Sequence, residues 1–513
     1  MMININSIEI NDLFQQAIDV LENTDKSIFI TGKAGTGKST LLEYFRSLTQ
    51  KRVVVLAPTG VAAINVKGET IHSFFRFKPG ITLDKISKFR QKDEKKNIYK
   101  KLDAIIIDEI SMVRADLLDC VDKFLRLNGP NKKLPFGGIQ MIFFGDLYQL
   151  PPVVVSHEKQ IFKGFYDSEY FFSAKVFAKI EMLYLELEKV YRQKDERFIS
   201  LLNTIRNNSA GDKELSLLNE RLDPGFDPKG QYYINLTTTN QMAREINERW
   251  LECLPAKTHI YEGMLEGDFD NKQLPTDIEL KLKAGSQIMM LNNDSQGRWV
   301  NGTMGKILTI NDDVLVVKLQ NGNLAEVDPF VWEIFHFNYN QNTMQLESNV
   351  TATFTQYPLK LAWAITIHKS QGKTFDNVII DIGNGTFAHG QLYVALSRCR
   401  SLDGIVLRKP IKKTHIIMDF RVVRFVTGYQ YQLSEKGCPI EDKIDIIKKA
   451  MDNKTRLNII YLKAKDEKSA REIQPLEVDE MEYLGNKFLG VRAFCYKRKE
   501  ERVFRIDRIL EIK

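Results

Sequence analysis

The sequence predicts an α/β protein: parallel sheets with helices on both faces, followed by β-rich additions. Three observations carry that expectation. Continuous apolar runs of strand length, at 27–31, 53–57, 104–107 and 140–144, alternate with helix-period stretches. Strands covered on both faces read as unbroken apolar runs, as they do in parallel sheets whose crossovers are helices. A glycine-rich turn at 32–39 sits between the first of these runs and a helix-type run, Thr40-Leu41-Leu42-Glu43-Tyr44-Phe45. Residues 283–330 and 440–513 switch to short strands separated by turns, which is the pattern of small barrels.

The bulk properties set the frame. A chain of 513 residues is long enough for several domains, since single cores stop growing near ~250–300 residues. With 43% hydrophobic and 27% charged residues it has the composition of a folded globular protein. A net charge of +7 favours an anionic partner without requiring one. The five cysteines are odd in number, scattered and without a C-x-x-C pair. They read as reduced thiols of a cytoplasmic protein, with no zinc site or disulfide framework. Neither a secretion signal nor an apolar stretch near 18 residues is found, so no membrane partner is expected.

Taken in order, residues 8–22 read as a helix with Ile10, Leu13, Phe14, Ala17, Ile18 and Leu21 at helical spacing. Gln15 and Gln16 lie on it. One of these amides could read an adenine edge; an exposed polar pair is the alternative. The turn Gly32-Lys33-Ala34-Gly35-Thr36-Gly37-Lys38-Ser39 is a G-x-x-x-x-G-K-S loop in its required strand–loop–helix setting. Gly32, Gly35 and Gly37 let the backbone curl round a phosphate chain and aim its N–H groups inward, with Thr36 and Thr40 in the same cradle. Lys38 would reach the β and γ phosphates and the Ser39 hydroxyl would hold Mg²⁺. A nucleotide triphosphate with Mg²⁺ is therefore the expected ligand.

The run 104–107 ends in Asp108-Glu109. Asp108 is placed to hold Mg²⁺ through water and Glu109 to orient an attacking water; capping of the next helix is the alternative. The run 140–144 leads to Gly145-Asp146 and Gln149-Leu150-Pro151, where Gln149 would sense the γ-phosphate from the carboxyl edge of the sheet. Residues 69–101 interleave aromatics with lysines. That suits single-stranded nucleic acid, although such charge runs also occur as plain solvated helix faces. Past 184 come Glu188-Lys189-Val190-Tyr191-Arg192-Gln193, a second strand–helix unit at 235–240, the β-rich stretch, His368-Lys369-Ser370-Gln371-Gly372, the strand 378–381 and a short helix ending in Arg398. The β-rich stretch thus looks inserted within a second α/β domain. A Lys436-Gly437-Cys438-Pro439 hinge precedes a helix (442–452) and strands at 457–462, 488–494 and 502–506.

In this order the loop at 32–39, Ala57-Pro58-Thr59-Gly60, Asp108-Glu109, Gly145-Asp146 with Gln149-Leu150-Pro151, Tyr191-Arg192-Gln193, the 368–372 segment and Tyr393-Val394-Ala395-Leu396-Ser397-Arg398 resemble superfamily 1B DNA helicases. The match is greatest to the Pif (petite integration frequency) family, relatives of RecD, and residues 188–208 resemble that family's own signature. The resemblance implies two RecA-like P-loop domains with ATP between them, 5′-to-3′ movement on single-stranded DNA, and unwinding at single-strand/duplex junctions. G-quadruplexes and RNA–DNA hybrids are further candidate partners, and a monomer is expected in the free state. The resemblance assigns Lys38, Ser39, Asp108, Glu109, Gln149, Arg192 and Arg398 to the ATP site, with both arginines entering from the second domain. Thr59, His72, Ser73, Thr239, His368 and Lys369 would touch DNA. The implied domains are 1–183 with an accessory wedge at 69–101, 184–435 with an SH3-like barrel inserted at about 295–355, and 440–513. The last resembles a WYL domain, an Sm-like barrel, through Ile460-Tyr461-Leu462, Arg471, Pro475 and the closing 502–509, although Ile replaces the Trp of the name-giving trio. Such tails bind nucleic acid or a regulatory ligand; a passive stability cap is the alternative. A switch ATPase stimulated by nucleic acid, or an RNA remodeller, shares the same ATP-site residues.

Overall fold

The computed structural model describes residues 11–513 except 79, 89–96, 155–161, 163, 229, 268–273, 312–313, 341–344 and 484; for 334–340 and 345–349 it describes the backbone alone. The chain forms two compact units, one of Met1–Ile205 with Ala210–Ile417, the other of Arg206–Ser209 with Met418–Lys513.

In the first unit, β1 (Ser27–Gly32), β2 (Val53–Ala57), β3 (Glu69–Thr70), β4 (Ala104–Ile107), β5 (Gln140–Phe144) and β6 (Met182–Leu187) make one sheet in the order β3-β2-β4-β5-β1-β6. Every neighbouring pair is parallel. All residues of β4 and β5 are buried, as unbroken apolar runs require. On one face Ile28, Ile30, Ile142 and Phe144 share a core with Phe14, Ala17, Leu41 and Phe45 of the helices Asp12–Asn23 and Lys38–Leu48. On the other, Phe29 and Phe143 meet Phe171 edge-on at ring separations of 5.4 and 5.8 Å. Each such side chain contributes roughly 1.5–3 kcal/mol by leaving water. The sheet is therefore held from both sides.

Two boundaries differ from the sequence expectation. The helix expected at 8–22 begins at Asp12, where Asn11 caps it by accepting from the Phe14 N–H; residues 8–10 lie outside the described part. The break expected after 183 falls inside β6, all six residues of which pair with β1.

The second sheet is also parallel, in the order Ala364–Thr366, Ile234–Thr237, Val378–Asp381, Ile405–Leu407. Between its first two strands in the chain lies an antiparallel five-stranded sheet, Leu324–Val327, Leu315–Leu319, Met304–Ile310, Gln287–Met290 and Leu359–Leu361. Its own core includes Ile288, Met290, Trp299, Ile307 and Val317. A long hairpin, Phe330–Asn340 with Gln345–Gln356, continues the insertion.

Among the described residues of 69–101 the aromatics do not face solvent. Phe74, Phe75, Phe77 and Tyr99 are buried and pack on one another and on Phe124. The expectation of base-stacking aromatics there is corrected: the rings are a small core, and much of the lysine-rich stretch lies outside the described residues.

The long run of the second unit begins at Met418, ahead of the expected hinge. Its helix Phe420–Gly437 buries Val422, Val423 and Val426 and ends with Ser434 donating to the carbonyls of Ile509 and Leu510. The antiparallel sheet runs Glu500–Arg505, Asn486–Cys495, Glu467–Tyr483, Leu457–Lys463, Ile509–Ile512. Its two edge strands are joined by the turn Ile506–Arg508, so the sheet must curl on itself as a small barrel does. Tyr461, of the Ile-Tyr-Leu trio, packs edge-on against Phe504 at 5.2 Å. Among the described residues no helix is long and apolar enough to cross a membrane.

Candidate active site

The loop after β1 is shaped from two sides. Gly35 has φ +80°, and a Cβ there would lie 2.5 Å from the Cβ of Arg192, so only glycine lets this backbone pass. The Tyr191 N–H donates to Gly35 O at 2.8 Å, which lays Tyr191-Arg192 across the loop like a strap. Gly37, at φ 87°, then starts the helix Lys38–Leu48. Lys38 Nζ donates to Gly32 O (2.7 Å) and Lys33 O (3.0 Å), so the loop curls round its own ammonium. Burial pulls the Lys38 pKa down, against the pull of Asp146 and Glu109.

At the end of β4, Asp108 Oδ1 accepts from the Glu109 N–H at 2.9 Å. Glu109 stands before the 3₁₀ turn Ile110–Met112 without capping it, and its φ is +50°. Burial, then the Glu109 charge, pushes Asp108 up to about 7. Glu109 is also raised by burial, with Lys38 and Arg398 pulling the other way. At the end of β5, buried Asp146 accepts from Tyr148 N–H and from Gln149 Nε2, both at 3.1 Å, and so aims the Gln149 amide.

The opposite wall comes from the second sheet. The helix Gln391–Ser397 brings Tyr393, whose hydroxyl accepts from the Ala34 N–H at 3.0 Å. Buried Arg398 donates to Val394 O (3.1 Å), Lys373 O (3.4 Å) and Ser397 Oγ (3.1 Å), all neutral oxygens. Desolvation, then neighbouring Arg192, pushes its pKa down to about 9. Glu109 and Asp146 act on this cation only through space, so it is poised for an anionic ligand.

These groups surround a cleft of about 800 Å³ lined by residues 34–40, Glu109, Gln149, Arg192 and Arg398, together with Phe14, Tyr191, Lys194, Gly372, Thr374 and Arg400. That volume suits a small-molecule site. Gln15 and Gln16 do not line it. They are exposed, flank a separate shallow hollow with Asp12 and Asp19, and Gln15 Nε2 donates to Asp19; Phe14 on the same helix faces the cleft instead. Arg192 also departs from expectation. It follows β6, in the first sheet, and reaches across to donate to Ser397 O at 3.1 Å, because β6 is held by β1 as far as Leu187. Phe14, Asp146 and Tyr393 had no assigned role from sequence, and only Asp146 and Tyr393 carried a signal, as members of quoted motifs.

The residues expected at nucleic acid fall in two sets, Thr59 with His72 and Ser73 past the paired strand ends Ala57 and Thr70, and Thr239 with His368 and Lys369 past the paired ends Thr237 and Thr366. Thr59 and Thr239 are exposed N-caps, accepting from Ala62 N–H and Met242 N–H at 3.3 Å each. Ser73 Oγ donates to Glu69, and His72 and His368 are partly buried, which lowers both their pKa values. Lys369 is exposed.

Comparison with known proteins explains the set. The model of PIF1-like helicases matches residues 6–215, that of the UvrD-like helicase C-terminal domain 361–403, and that of the WYL domain 442–513. The chain is 32% identical over 440 residues to the ATP-dependent DNA helicase Pif1 of Bdellovibrio bacteriovorus, spanning 83% of this chain and 93% of that protein. It belongs to the PIF1-like helicase family. The ATP-dependent DNA helicase PIF1 of Mus musculus is 34% identical over 82% of this chain, which spans only 62% of the mouse protein's length. Bacteroides sp Pif1 in complex with ADP-AlF4 superposes with a TM-score of 0.76 at 37% identity, covering 83% of this chain and 98% of that one. The same protein bound to ssDNA gives 0.62 at 38% identity over the same coverage. The parallel α/β core is thus that of PIF1-like helicases, with a WYL domain following it in the sequence.

Proposed function

We propose that this protein is an ATP-driven DNA helicase that moves 5′ to 3′ along single-stranded DNA and separates duplex or structured DNA. The observation that carries this reading is the two-sided cleft, in which a phosphate loop from the first sheet faces Arg398 from the second. Hydrolysis in such a cleft depends on how closely the two walls approach, and an arginine supplied across a site is worth ~10³–10⁵ in rate.

Placement supports the following residue roles. Lys38 would exchange its loop carbonyls for the β and γ phosphates. Glu109, raised by burial and held off any cap, would orient the attacking water and take its proton. Gln149, aimed by Asp146, would read the γ-phosphate, and Arg192 and Arg398 would meet the charge that develops on it. Ser39 and Asp108 offer a hydroxyl and a carboxylate, which suit the oxygen-seeking Mg²⁺ and its power to neutralise phosphate charge. Thr59 and Thr239, each at the start of a helix after a parallel strand, would bind backbone phosphates of the tracking strand. The relatives named as ATP-dependent DNA helicases, and a Pif1 bound to ssDNA, support ATP and single-stranded DNA as the ligands. Separating duplex costs about 1.4 kcal/mol of stacking per step, which requires coupling to ATP turnover.

The test is unwinding of 5′-tailed, 3′-tailed and forked DNA. Activity is expected on the 5′-tailed and forked substrates. Unwinding from 3′ tails alone would reverse the polarity, and hydrolysis without unwinding of any substrate would replace the motor by a switch.

A further inference from the structure

One side chain of the inserted sheet joins both halves of the first unit. Asn301 lies in the turn before the strand Met304–Ile310, where its own N–H donates to Asn293 Oδ1 at 2.8 Å. Its Oδ1 accepts from Lys373 Nζ at 2.6 Å, and its Nδ2 donates to Asn65 Oδ1 at 3.2 Å. The orientation of this amide is dictated by chemistry: an ammonium only donates, so it must face Oδ1, which leaves Nδ2 for Asn65.

Each neighbour leads to a different site. Lys373 gives its carbonyl to Arg398 Nη1 at 3.4 Å, at the wall of the ATP cleft. Burial lowers the Lys373 pKa to about 8, and the Asn301 oxygen is the acceptor that solvates its ammonium. Asn65 closes the helix Gly60–Asn65, whose first turn is capped by Thr59. A continuous path therefore runs from Thr59's helix through Asn65, Asn301 and Lys373 to Arg398.

We propose that Asn301 is a positioning residue that transmits occupancy of the nucleic-acid side, at the helix Gly60–Asn65, to Arg398. The inference rests on the helicase reading above. Strand binding at Thr59 steadies the helix; Asn65 then fixes the Asn301 amide, Asn301 fixes Lys373, and the Lys373 carbonyl holds the guanidinium toward the γ-phosphate position. Without the strand nothing steadies the helix Gly60–Asn65 at the head of this path, and hydrolysis stays at its basal rate.

The experiment measures ATP hydrolysis of the full chain with and without oligo(dT), and oligo(dT) affinity by anisotropy, for N301A, N65L, N65D and the N65L/N301A pair. Exposed Asn65 can be changed without disturbing a core, and Asp there keeps the acceptor that Asn301 needs. Expected are basal kcat and oligo(dT) Kd within about threefold of the parent, and a strand-stimulated kcat lowered about tenfold in N301A and N65L, within the usual span of coupling between sites. N65D should keep its stimulation, and the pair should lose no more than either single change. Full stimulation in N301A, equal loss in N65D and N65L, or multiplying losses in the pair would each overturn the inference. If the parent's hydrolysis ignores oligo(dT), it is the helicase reading that fails.

Discussion

The two parallel sheets of the first unit make the same strand–turn–helix passage with different chemistry. After Ile234–Thr237 the chain enters the helix Asn240–Glu252 directly, with Thr239 as N-cap at φ −126°, ψ 153°. After β2 it does the same with Thr59, at φ −129°, ψ 153°. Only after β1 is the turn lengthened into a glycine loop that can enclose phosphate. The second sheet supplies instead a cation, Arg398, at the end of a buried helix. The repeat is thus one of scaffold: matching caps face outward from both halves, while the reaction chemistry is split, the phosphate cradle with Lys38 and Arg192 on one side and Arg398 on the other.

If the asymmetry is real, Arg398→Ala has the largest effect, lowering ATP turnover by about 10³ or more in steady-state hydrolysis. A loss no greater than that of a cap variant would place the two sheets on equal terms. Glu109→Gln follows, with kcat down roughly 10²–10⁴ while ATP and DNA are still bound; retained unwinding would remove Glu109 from the chemistry. Next is the acid limb of Mg²⁺ dependence. Because the folded pKa of Asp108 is raised to about 7, its carboxylate is present above that pH and lost below it. Mg²⁺ titrations should therefore show affinity falling about tenfold per pH unit below 7, and Asp108→Asn should flatten the profile at a weaker level. The smallest effects test the matched caps. Thr59→Ala and Thr239→Ala should each cost ~1 kcal/mol of local helix stability, read by hydrogen exchange. Unequal costs would break the equivalence of the two turns.

The features legible in the sequence are those written locally. The glycine spacing of 32–39, the acids at the end of β4 and the apolar runs of β1, β2, β4 and β5 need no distant partner to be recognised. Non-local pairing hid the rest. Nothing within 182–187 says that it pairs with 27–32, so the expected break cuts β6 and assigns Arg192 to the second domain. The strand Glu467–Tyr483 escaped because its acids mask an alternation that is plain once Ser469, Arg471, Ile473 and Pro475 are seen buried. Gln15 and Gln16 could have been placed by phase alone, since a helix burying Phe14, Ala17 and Leu21 turns them outward.

The strap over Gly35 bears on how this chain can be cut. A fragment ending at 183 would keep every glycine of the loop yet strip β1 of its β6 neighbour and remove the backbone N–H of Tyr191 that Gly35 O accepts. The smallest piece that could hold its loop in shape runs past Arg192, even though those last residues lie outside the sheet. The phosphate cradle is therefore a discontinuous object, closed by residues more than a hundred positions downstream, and it cannot be transplanted as a peptide.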